Sequence, residues 1–375
     1  MRIALFTPFS PELGGGSVQF RSLLPELRDL DIEWFYLADH VAPGSDRHQL
    51  GSPFTTSQFL RELTCQIGPL HRFTNRVPEL TDRMSADLYW VVAHNEGILV
   101  ADELCARGKR VHLSVHDDPV SMFERSRKYR LFAPLISRKF SKLLKSVESV
   151  DVISPFMREA YEREYKRESI AVYRFVPELC PFEFKPGVGT LTVGHIGSVY
   201  EHEPFRHFVN ACLEYAMENR RNLKIVRIGS SPEVDVEAAK HPEVFENHGE
   251  MDERDALPIL ANCDFLYAMY PASVRFKVFR CLSLPMKLST YVQAQRPIFA
   301  QTPEDSSLAK IVNQYRIGIV CNSDDHTHLR ETIGAVLNSQ VKREQFELVR
   351  SELMGEGQIK KLRIALTRME EKRRG

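Results

Sequence analysis

The sequence lacks the features that mark several large classes of protein. No window approaches the roughly twenty consecutive apolar residues that a membrane-spanning helix needs. The seven cysteines are scattered singly, with no C-x-x-C pair, which fits buried thiols in a reducing compartment and argues against a disulfide framework. Fifty basic residues balance fifty acidic ones, whereas a dedicated nucleic-acid binder usually has a strongly basic domain.

The opening residues do not predict a signal peptide. Their apolar run is interrupted by Arg2 and ends before Pro8, so it is too short for the apolar region of a signal peptide. We therefore expect the protein to be cytoplasmic. Its 375 residues are enough for about two domains, each with a core of its own.

Strand-like and helix-like segments alternate along the first half, which predicts a parallel sheet with helices on both faces. Strands are predicted at 2–7, 32–37, 88–93, 110–115 and 150–154, and helices at about 17–30 and about 97–107. The polar segment 39–80 matches neither pattern.

The second half repeats this alternation after a break in the pattern. Three prolines and two glycines between Val176 and Thr190 predict a linker. Strands are then predicted at 191–196, 223–228 and 265–270, and an apolar stripe predicts a helix after Glu203. A further helix should open at Ser306 and stop at Gly318. The sequence therefore predicts two tandem doubly wound α/β domains of Rossmann-like type.

A lysine at the start of a predicted helix is the most informative single feature. Pro285 suits a first helical turn and Ser283 a cap, so Lys287 would lie where the helix dipole favours anions. This placement costs only ~0.3–1 kcal/mol, and a bound phosphate would turn the cost into attraction. Lys287 is therefore a candidate phosphate ligand, with Arg275 and Lys277 as further candidates.

Glycine-rich turns follow several predicted strands, where open parallel sheets bind their ligands. Gly14, Gly15 and Gly16 precede Ser17, a candidate helix cap, and would let backbone approach a ligand closely; a flexible turn is the alternative. In the second half, small residues at two adjacent strand ends would make room for a nucleotide: Gly194, Gly197, Ser198, Gly229, Ser230 and Ser231.

Two polar clusters follow neighbouring strands of the first half. One is the run of His94, Asn95 and Glu96, and the other begins with His116 and Asp117. A histidine or carboxylate there could accept the proton of an acceptor hydroxyl. The carboxylates before Pro119 could instead cap a turn.

The segment from Arg125 to Lys145 is basic and amphipathic. It holds eight basic residues and no acidic one, interleaved with apolar residues. Such a segment can lie on an anionic membrane surface, here the inner face of the membrane, or it can be a solvated helix face.

These features together resemble the GT-B glycosyltransferases, in particular the large retaining group called family four. FTPFSPELGGGS resembles the start of the family, VDVISPFMREAY the end of its first domain, and VGHIGSVY the start of its second. The most specific likeness is the run from LPMKLSTYVQAQRPIFA to LAKIVNQYRIGIVC. The resemblance implies two Rossmann-like domains with a cleft between them.

The resemblance also implies domain bounds and residue roles. The acceptor-side domain would span 1–178, joined by the C-terminal helix at about 345–375, and the nucleotide-sugar domain would span 190–344. Lys287 would neutralise the donor diphosphate, the glycines from Gly14 to Gly16 would lie beside the donor phosphate or acceptor, and His116 would reach the transferred sugar. The predicted catalytic residues are His116, Asp117 and Lys287. The predicted donor-binding residues are Gly15, Gly16, Gly197, Ser198, Gly229, Lys287, Thr290, Ser306 and Ser307.

The chain departs from the family pattern at two places. The family commonly has two glutamates eight residues apart; the first falls on Leu282, and the second, which holds the ribose, falls on Thr290. A basic pair near the start of the second domain is replaced by Glu201, His202 and Glu203. Part of the usual phosphate clamp would then come from elsewhere, such as Arg275, Lys277 or Arg206.

The function predicted from the sequence is transfer of a sugar from a nucleoside diphosphate sugar to a hydroxyl of a glycan, lipid-linked sugar or small metabolite. Retention of configuration follows from the resemblance. No D-x-D run lies at a strand end, so we expect no metal and no cofactor besides the donor substrate. Two alternatives share the scaffold: a nucleotide-sugar epimerase and a non-catalytic binding subunit. An oxidoreductase is disfavoured because the glycine run lacks the dinucleotide spacing.

Overall fold

The computed structural model describes residues 1–12, 15–53, 76–124, 130–182 and 189–367. The chain divides into two units. Unit 1 comprises Met1–Phe175 and Leu353–Gly375, and unit 2 comprises Val176–Glu352. Gly14 and residues 54–75 lie outside the described residues.

Unit 1 is built on a parallel sheet of seven described strands in the order β3-β2-β1-β4-β5-β6-β7. The central strands β4 and β5 are buried along their whole length, as expected where helices cover both faces of a parallel sheet. The strands are β1 (Arg2–Thr7), β2 (Asp31–Leu37), β3 (Arg47–Gly51), β4 (Leu88–Val92), β5 (Val111–Val115), β6 (Ser149–Val152) and β7 (Ile170–Ala171).

The described helices of the first 175 residues are α1 (Gly15–Leu23), α2 (Arg76–Asp82), α3 (Glu96–Ala106), α4 (Pro119–Glu124), α5 (Ala133–Ser146) and α6 (Pro155–Tyr165). Short 3₁₀ turns span Leu24–Leu27 and Arg130–Phe132. The helix predicted at about 17–30 starts at Gly15, and its α-helical geometry ends before Pro25, which lacks the N–H for a helix interior.

Unit 2 contains a second parallel sheet, of six described strands in the order β10-β9-β8-β11-β12-β13. Its aromatic core includes Phe205, Phe208 and Tyr267, and the rings of Phe208 and Tyr267 stack with centroids 4.0 Å apart. The strands are β8 (Thr190–Ile196), β9 (Asn222–Ile228), β10 (Phe245–Asn247), β11 (Phe265–Met269), β12 (Ile298–Gln301) and β13 (Gly318–Cys321).

The described helices from residue 202 onward are α7 (His202–Glu218), α8 (Pro232–Lys240), α9 (Glu253–Ala261), α10 (Lys277–Leu282), α11 (Lys287–Ala294), α12 (Ser307–Tyr315), α13 (His326–Leu337), α14 (Arg343–Val349) and α15 (Glu356–Thr367). A 3₁₀ turn spans Val274–Phe276, and a π-helical segment, Arg350–Met354, precedes α15.

The last described helix, α15, packs in unit 1. Its buried Leu362 and Leu366 belong to the same apolar cluster as Phe20 and Trp34, and the amide of Gln358 accepts a bond from the backbone N–H of Tyr173 at 2.6 Å. The preceding helix α14 belongs to unit 2, where Arg343 donates to the carbonyl of Leu179 at 2.7 Å.

Gly318 and Ser17 do not have the helix-end roles predicted for them. Gly318 does not stop α12: Arg316, at φ 54°, takes the left-handed position after the helix, and Gly318 opens β13, where a Cβ would lie 2.0 Å from the carbonyl oxygen of Ile298. Ser17 does not cap α1, since the helix starts two residues earlier and the Ser17 hydroxyl donates to the carbonyl of Ser10.

Both sheets reverse their strand order next to the first strand of the unit. In unit 1 the order passes from β2-β1 to β4, and in unit 2 from β9-β8 to β11. The carboxyl ends of the two strands that flank such a reversal are where doubly wound sheets bind ligands. The predicted class, two doubly wound parallel-sheet α/β domains, is confirmed.

Candidate functional site

Two glycine turns meet at the carboxyl edge of the unit 2 sheet. Gly197 follows β8 with φ +74°, and Gly229 follows β9 with φ +85°, a left-handed conformation that glycine adopts at little cost. The Gly197 N–H donates to the carbonyl of Ile228 at 2.8 Å, and the Gly229 N–H to that of Gly249 at 2.7 Å. The turns are therefore fixed by backbone bonds. Gly194 has a different role, because a Cβ there would lie 2.6 Å from the Leu266 side chain.

Lys287 reaches this edge from the first residue of α11. Its ammonium donates to the carbonyl of Ser198, in the turn after β8, with Nζ 2.6 Å from the oxygen. Burial lowers the pKa of the Lys287 amine to about 7. The structure thus brings Lys287, Gly197 and Ser198 together. A carbonyl dipole is a weak partner for a desolvated ammonium compared with an anion.

The expected cap of the Lys287 helix is wrong. Ser283 ends α10 in an extended conformation, and its carbonyl accepts bonds from the hydroxyls of Tyr270 and Ser307. Pro285 lies two residues before α11 and accepts from the Leu288 N–H at 2.9 Å. No side chain of the described residues caps α11.

His195 supports the turn that holds Lys287. Its ring is buried, with Nε2 2.8 Å from the Gly197 carbonyl and Nδ1 3.2 Å from that of Tyr267. Burial and then the nearby charge of Lys287 lower the pKa of His195 to about 3, so the ring is neutral and donates through one nitrogen. The shorter distance assigns that proton to the Gly197 bond. The sequence signal that could have identified His195 is a histidine near the end of a buried strand.

Thr290 has a carboxylate partner from another helix. Its hydroxyl donates to Oε1 of Glu253 at 2.7 Å, and the Gln293 amide donates to the same oxygen at 3.2 Å. Glu253 is the first residue of α9. The structure therefore places a carboxylate beside Thr290, at the position where the family resemblance expects a glutamate.

The hydroxyls of Ser306 and Ser307 are used within the fold. Ser306 caps α12 by accepting from the Ala309 N–H at 3.0 Å, and Ser307 donates to the carbonyl of Ser283. Both side chains are fully buried. The start of α12 could thus offer backbone N–H groups to a ligand, as helix starts do, whereas the two hydroxyls hold the helix in place.

An ion pair with a buried arginine and a partly exposed aspartate ties α10 to the start of α12. The guanidinium of Arg280 makes two bonds to the carboxylate of Asp305, at 2.7 and 2.9 Å, and donates to the carbonyls of Ala272 and Ser273 after β11. Arg280 thereby links the turns that follow β11 and β12. Sequence patterns gave no signal for it.

We predict that Asp305→Ala lowers the free energy of unfolding by ~1–3 kcal/mol, the range for losing a bond to a buried charged group. The full ~3–5 kcal/mol of a buried pair is not expected, because the Asp305 side chain is 42% exposed. Urea unfolding measures the change, with Asp39→Ala, at an exposed residue between β2 and β3, as the control. A change below about 0.5 kcal/mol, the scale of ordinary surface substitutions, would contradict this role.

The other basic candidates are engaged in surface ion pairs or lie exposed. Arg275 lies 3.3 Å from Glu201, and Arg206 lies 2.8 Å from Glu203; Lys277 is exposed at the start of α10. Exposed pairs of this kind contribute about 0–1 kcal/mol, so an anion could displace them at small cost. Their role in phosphate binding stays a prediction.

In unit 1, Gly15 and Gly16 form the first turn of α1, as the residues after β1 and its loop. A Cβ on Gly16 would lie 2.7 Å from the ring of Phe9. Gly16 therefore allows Phe9 to pack on the start of the helix. This structural role does not require a ligand.

His116 and Asp117 lie at the carboxyl end of β5. The His116 ring packs against Phe20 of α1, with centroids 5.4 Å apart, and its buried Nε2 has no hydrogen-bond partner among the described residues. Burial lowers the pKa of His116, which keeps the ring neutral and able to accept a proton. Asp117 is half-buried beside it.

Asp118 caps a helix. Its carboxylate accepts from the Ser121 N–H at 2.8 Å and from the Tyr161 hydroxyl at 2.9 Å. Burial raises the pKa of Asp118 to about 6. Of the two adjacent acids, Asp118 thus has the capping role that the sequence left open.

The described part of the basic segment forms a 3₁₀ turn and the two-sided helix α5. Ile136, Phe140 and Leu144 are buried, whereas Leu131 and Leu135 are 84% and 44% exposed. The exposed basic residues on this surface are Arg130, Arg138, Lys139, Lys142 and Lys145. Apolar and basic side chains therefore share one face, which we call the α5 surface; residues 125–129 lie outside the described part.

Each unit contains a doubly wound sheet, and the strand orders counted within each unit are 3-2-1-4-5-6-7 and 3-2-1-4-5-6. The C-terminal helix packs in unit 1. These features define the GT-B fold. No protein-family model matches the chain, and no curated protein matches it either.

Solved structures match along almost the whole chain. An E. coli structure described as trehalose-6-phosphate bound with UDP-2-fluoro glucose is 12% identical, with a TM-score of 0.66 over 98% of this chain and 99% of that chain. Sucrose-phosphate synthase from Thermosynechococcus elongatus is 13% identical, with a TM-score of 0.64 over 100% and 98%. A Listeria monocytogenes structure assigned as a UDP-N-acetylglucosamine 2-epimerase is 11% identical, with a TM-score of 0.64 over 99% and 97%. These likenesses confirm the GT-B fold.

Proposed function

We propose that the chain is a glycosyltransferase that moves a sugar from a nucleoside diphosphate sugar to a hydroxyl acceptor, with retention and without a metal. The observation that carries the proposal is the position of Lys287 at a helix start, where its amine contacts the Ser198 turn at the carboxyl edge of a doubly wound sheet. Structures of this fold that hold UDP or a UDP-sugar support a nucleotide-sugar donor.

Lys287 would act on the leaving group. Transfer breaks the bond between the anomeric carbon and the phosphate oxygen, which leaves negative charge on the diphosphate, and the acceptor oxygen forms the new bond. An ammonium held at that charge stabilises the transition state more than the ground state. The N–H groups at the start of α12 would add to this stabilisation. Gly197 and Gly229 would let the backbone approach the diphosphate.

Glu253 would replace the missing ribose ligand. Its carboxylate is bound by Thr290 and Gln293, which orients it as an acceptor for ribose hydroxyls. His116 and Asp117 remain the proposed groups for the acceptor side, where the neutral imidazole would take the hydroxyl proton.

The test is a thermal-shift panel of nucleoside diphosphates and their sugars, beginning with UDP and UDP-glucose. We expect at least one nucleotide to stabilise the chain, and the matching donor to yield a glycoside when acceptors are supplied. A chain stabilised by none of them would be the non-catalytic alternative. EDTA should leave the rate unchanged.

An epimerase is the second candidate, favoured by the likeness to the Listeria monocytogenes structure. Incubation with the donor alone distinguishes the two functions. An epimerised sugar nucleotide without acceptor would support the epimerase, whereas accumulation of a glycoside only with acceptor supports the transferase.

We also propose that the α5 surface attaches the protein to anionic membranes. No helix in the described ranges is long and apolar enough to span a bilayer. Leu131 and Leu135 would enter the headgroup region, and the basic residues would each contribute about 1 kcal/mol on an anionic surface. This attachment would suit a lipid-linked acceptor.

The prediction for this surface is that Arg138→Glu/Lys142→Glu lowers binding to vesicles containing phosphatidylglycerol by more than about tenfold in a sedimentation assay. Lys360→Glu/Lys361→Glu, which reverses two exposed charges on α15, is the matched control and should bind normally. Equal loss in both variants, or equal binding to neutral phosphatidylcholine vesicles, would reject the attachment.

A further inference from the structure

The turn between β4 and α3 has a backbone conformation that is rare for a residue with a side chain. Asn95 has φ 44° and ψ −122°. Three other residues with positive φ, Lys166, Gln295 and Arg316, have ψ between 37° and 39° and end helices in the ordinary left-handed region. Asn95 lies outside that region, so its conformation is strained.

The packing of α3 on the end of β4 imposes this strain. The Gly97 N–H donates to the carbonyl of His94 at 2.9 Å, and the Ile98 N–H to that of Asn95 at 3.1 Å. A Cβ on Gly97 would lie 1.9 Å from the carbonyl oxygen of Val92. The helix therefore starts in direct contact with the strand end. Glycine at position 95 would satisfy this geometry without strain, yet the chain has asparagine there.

In the described residues, the amide oxygen of Asn95 accepts no hydrogen bond that would stabilise the fold. Asn95 precedes α3 at the position where an asparagine usually accepts a bond from the N–H two or three residues later, but it makes no such cap bond. The residue is 4% exposed, and in the described part of the chain no group bonds its Oδ1. A buried amide oxygen without a partner costs free energy. Strain and an unused acceptor thus coincide in one residue.

The position of the turn indicates what kind of ligand could donate a hydrogen bond to the amide oxygen of Asn95. The β4 end flanks the strand reversal beside β1, the edge where such sheets bind ligands. The next turn, after β5, holds His116, whose Nε2 is also buried without a partner among the described residues. A hydroxyl can donate to the amide oxygen and can donate to or accept from an imidazole. Adjacent hydroxyls of a sugar can meet both groups.

We propose that Asn95 is a ligand-binding residue that accepts a hydrogen bond from a sugar hydroxyl, and that the strained turn presents its amide to that sugar. The proposal rests on the proposed function for the source of the sugar. The transferred sugar of the donor and a sugar acceptor carry the same hydroxyl chemistry. The kinetic constants for the donor and for the acceptor distinguish these two sources of the sugar.

The decisive variant is Asn95→Gly, which removes the amide and relaxes the backbone. We expect its Tm to rise by about 2 °C or more while kcat/KM for transfer falls about tenfold or more, as for a lost hydrogen bond to substrate. An effect on the donor constants, also seen in donor hydrolysis without acceptor, would assign the transferred sugar; an effect confined to the acceptor KM would assign the acceptor. Asn95→Asp, which keeps an acceptor oxygen, should recover part of the loss.

Lys166→Gly is the matched control, because it places glycine at another positive-φ position of unit 1, at an exposed helix end. It should keep the parent activity. A parent kcat/KM in Asn95→Gly, or a lowered Tm, would overturn the proposal.

A second readout does not depend on nucleotide binding. In saturation-transfer difference NMR, methyl α-D-glucopyranoside and methyl α-D-mannopyranoside should give signals with the parent chain and Lys166→Gly, and weaker signals with Asn95→Gly. Absence of signals from the parent chain, or equal signals in Asn95→Gly, would overturn the role of Asn95 while leaving nucleotide binding at Lys287 intact. Sugar signals from a chain that binds no nucleotide would overturn the proposed function alone.

Discussion

Replacing Lys287 with alanine is expected to reduce the rate of sugar transfer by about 10²- to 10³-fold, the usual effect of removing one group that stabilises developing charge. The loss should appear in kcat, because the charge on the diphosphate grows as the bond to the sugar breaks. Folding should not be weakened by more than ~1 kcal/mol, because among the described residues the amine donates only to the Ser198 carbonyl and its removal also relieves the cost of burying a charge. Initial rates of nucleotide release and urea unfolding measure the two effects.

Lys224→Ala provides the control for a lost surface amine. Lys224 lies on β9 and forms an ion pair with Glu246, about half-exposed on both sides, and it should keep the parent rate. Transfer at the parent rate by Lys287→Ala would exclude Lys287 from the chemistry. A loss of stability of several kcal/mol would instead make Lys287 a structural residue.

Local sequence patterns predict both the fold and the position of Lys287. The buried strands β4 and β11 are continuous apolar runs, which is how central parallel strands appear in a sequence. The nearby Pro285 predicts that Lys287 lies at a helix start, and Lys287 is the first residue of α11. Signals within a short stretch of chain were sufficient for both.

Helix ends were less predictable, because neighbouring elements compete for the same residues. Serine is a residue type that commonly caps helices, but the backbone of Ser283 ends α10, and its carbonyl accepts hydrogen bonds from Tyr270 and Ser307. Ser17 likewise looks like a cap, yet α1 gains two earlier residues and Ser17 bonds Ser10. Each outcome depends on a partner that is distant in sequence or on a neighbouring turn.

The supporting residues of the candidate site gave almost no local signal. Arg280 meets Asp305 25 residues later, and Glu253 meets Thr290 37 residues later. These pairs form only when the strands bring their turns to one edge of the sheet. The conformation of Asn95 is similarly tertiary, since it arises from the packing of α3 on β4. The sequence pattern predicts a polar turn at residues 94–96 but does not distinguish Asn95 from His94 or Glu96.

The second large effect concerns pH. Burial lowers the pKa of Lys287 to about 7, so the amine is half neutral at pH 7 in the unliganded chain, and a bound diphosphate should raise that pKa again. Binding of UDP must then take up a proton above pH 7. Affinity should fall by up to about tenfold for each pH unit between about pH 7 and 9. His195 does not contribute in this range, because its pKa of about 3 keeps it neutral.

The stability of the unliganded chain should change in the opposite sense. In the unfolded chain Lys287 has its ordinary pKa of 10.5, so the unfolded state binds more protons between about pH 7 and 10, and this group's contribution to the free energy of unfolding rises with pH. Opposite slopes for stability and affinity therefore identify a desolvated lysine as the ligand group. If the ligand group were a carboxylate or a surface lysine, neither the stability nor the affinity for UDP would vary with pH in this way between about pH 7 and 9.

Calorimetry of UDP binding in two buffers with different ionisation enthalpies measures the proton directly, and we expect uptake of about one proton per UDP at about pH 8. Lys287→Arg is the matched variant, because a guanidinium stays protonated to well above about pH 9; its affinity should vary little with pH and its uptake should vanish. If the parent chain bound UDP with equal affinity across this range and took up no proton, the amine would be either fully charged before binding or away from the diphosphate. Lys287→Ala separates these two cases, because loss of a charged ligand group weakens UDP binding and removal of a distant amine does not.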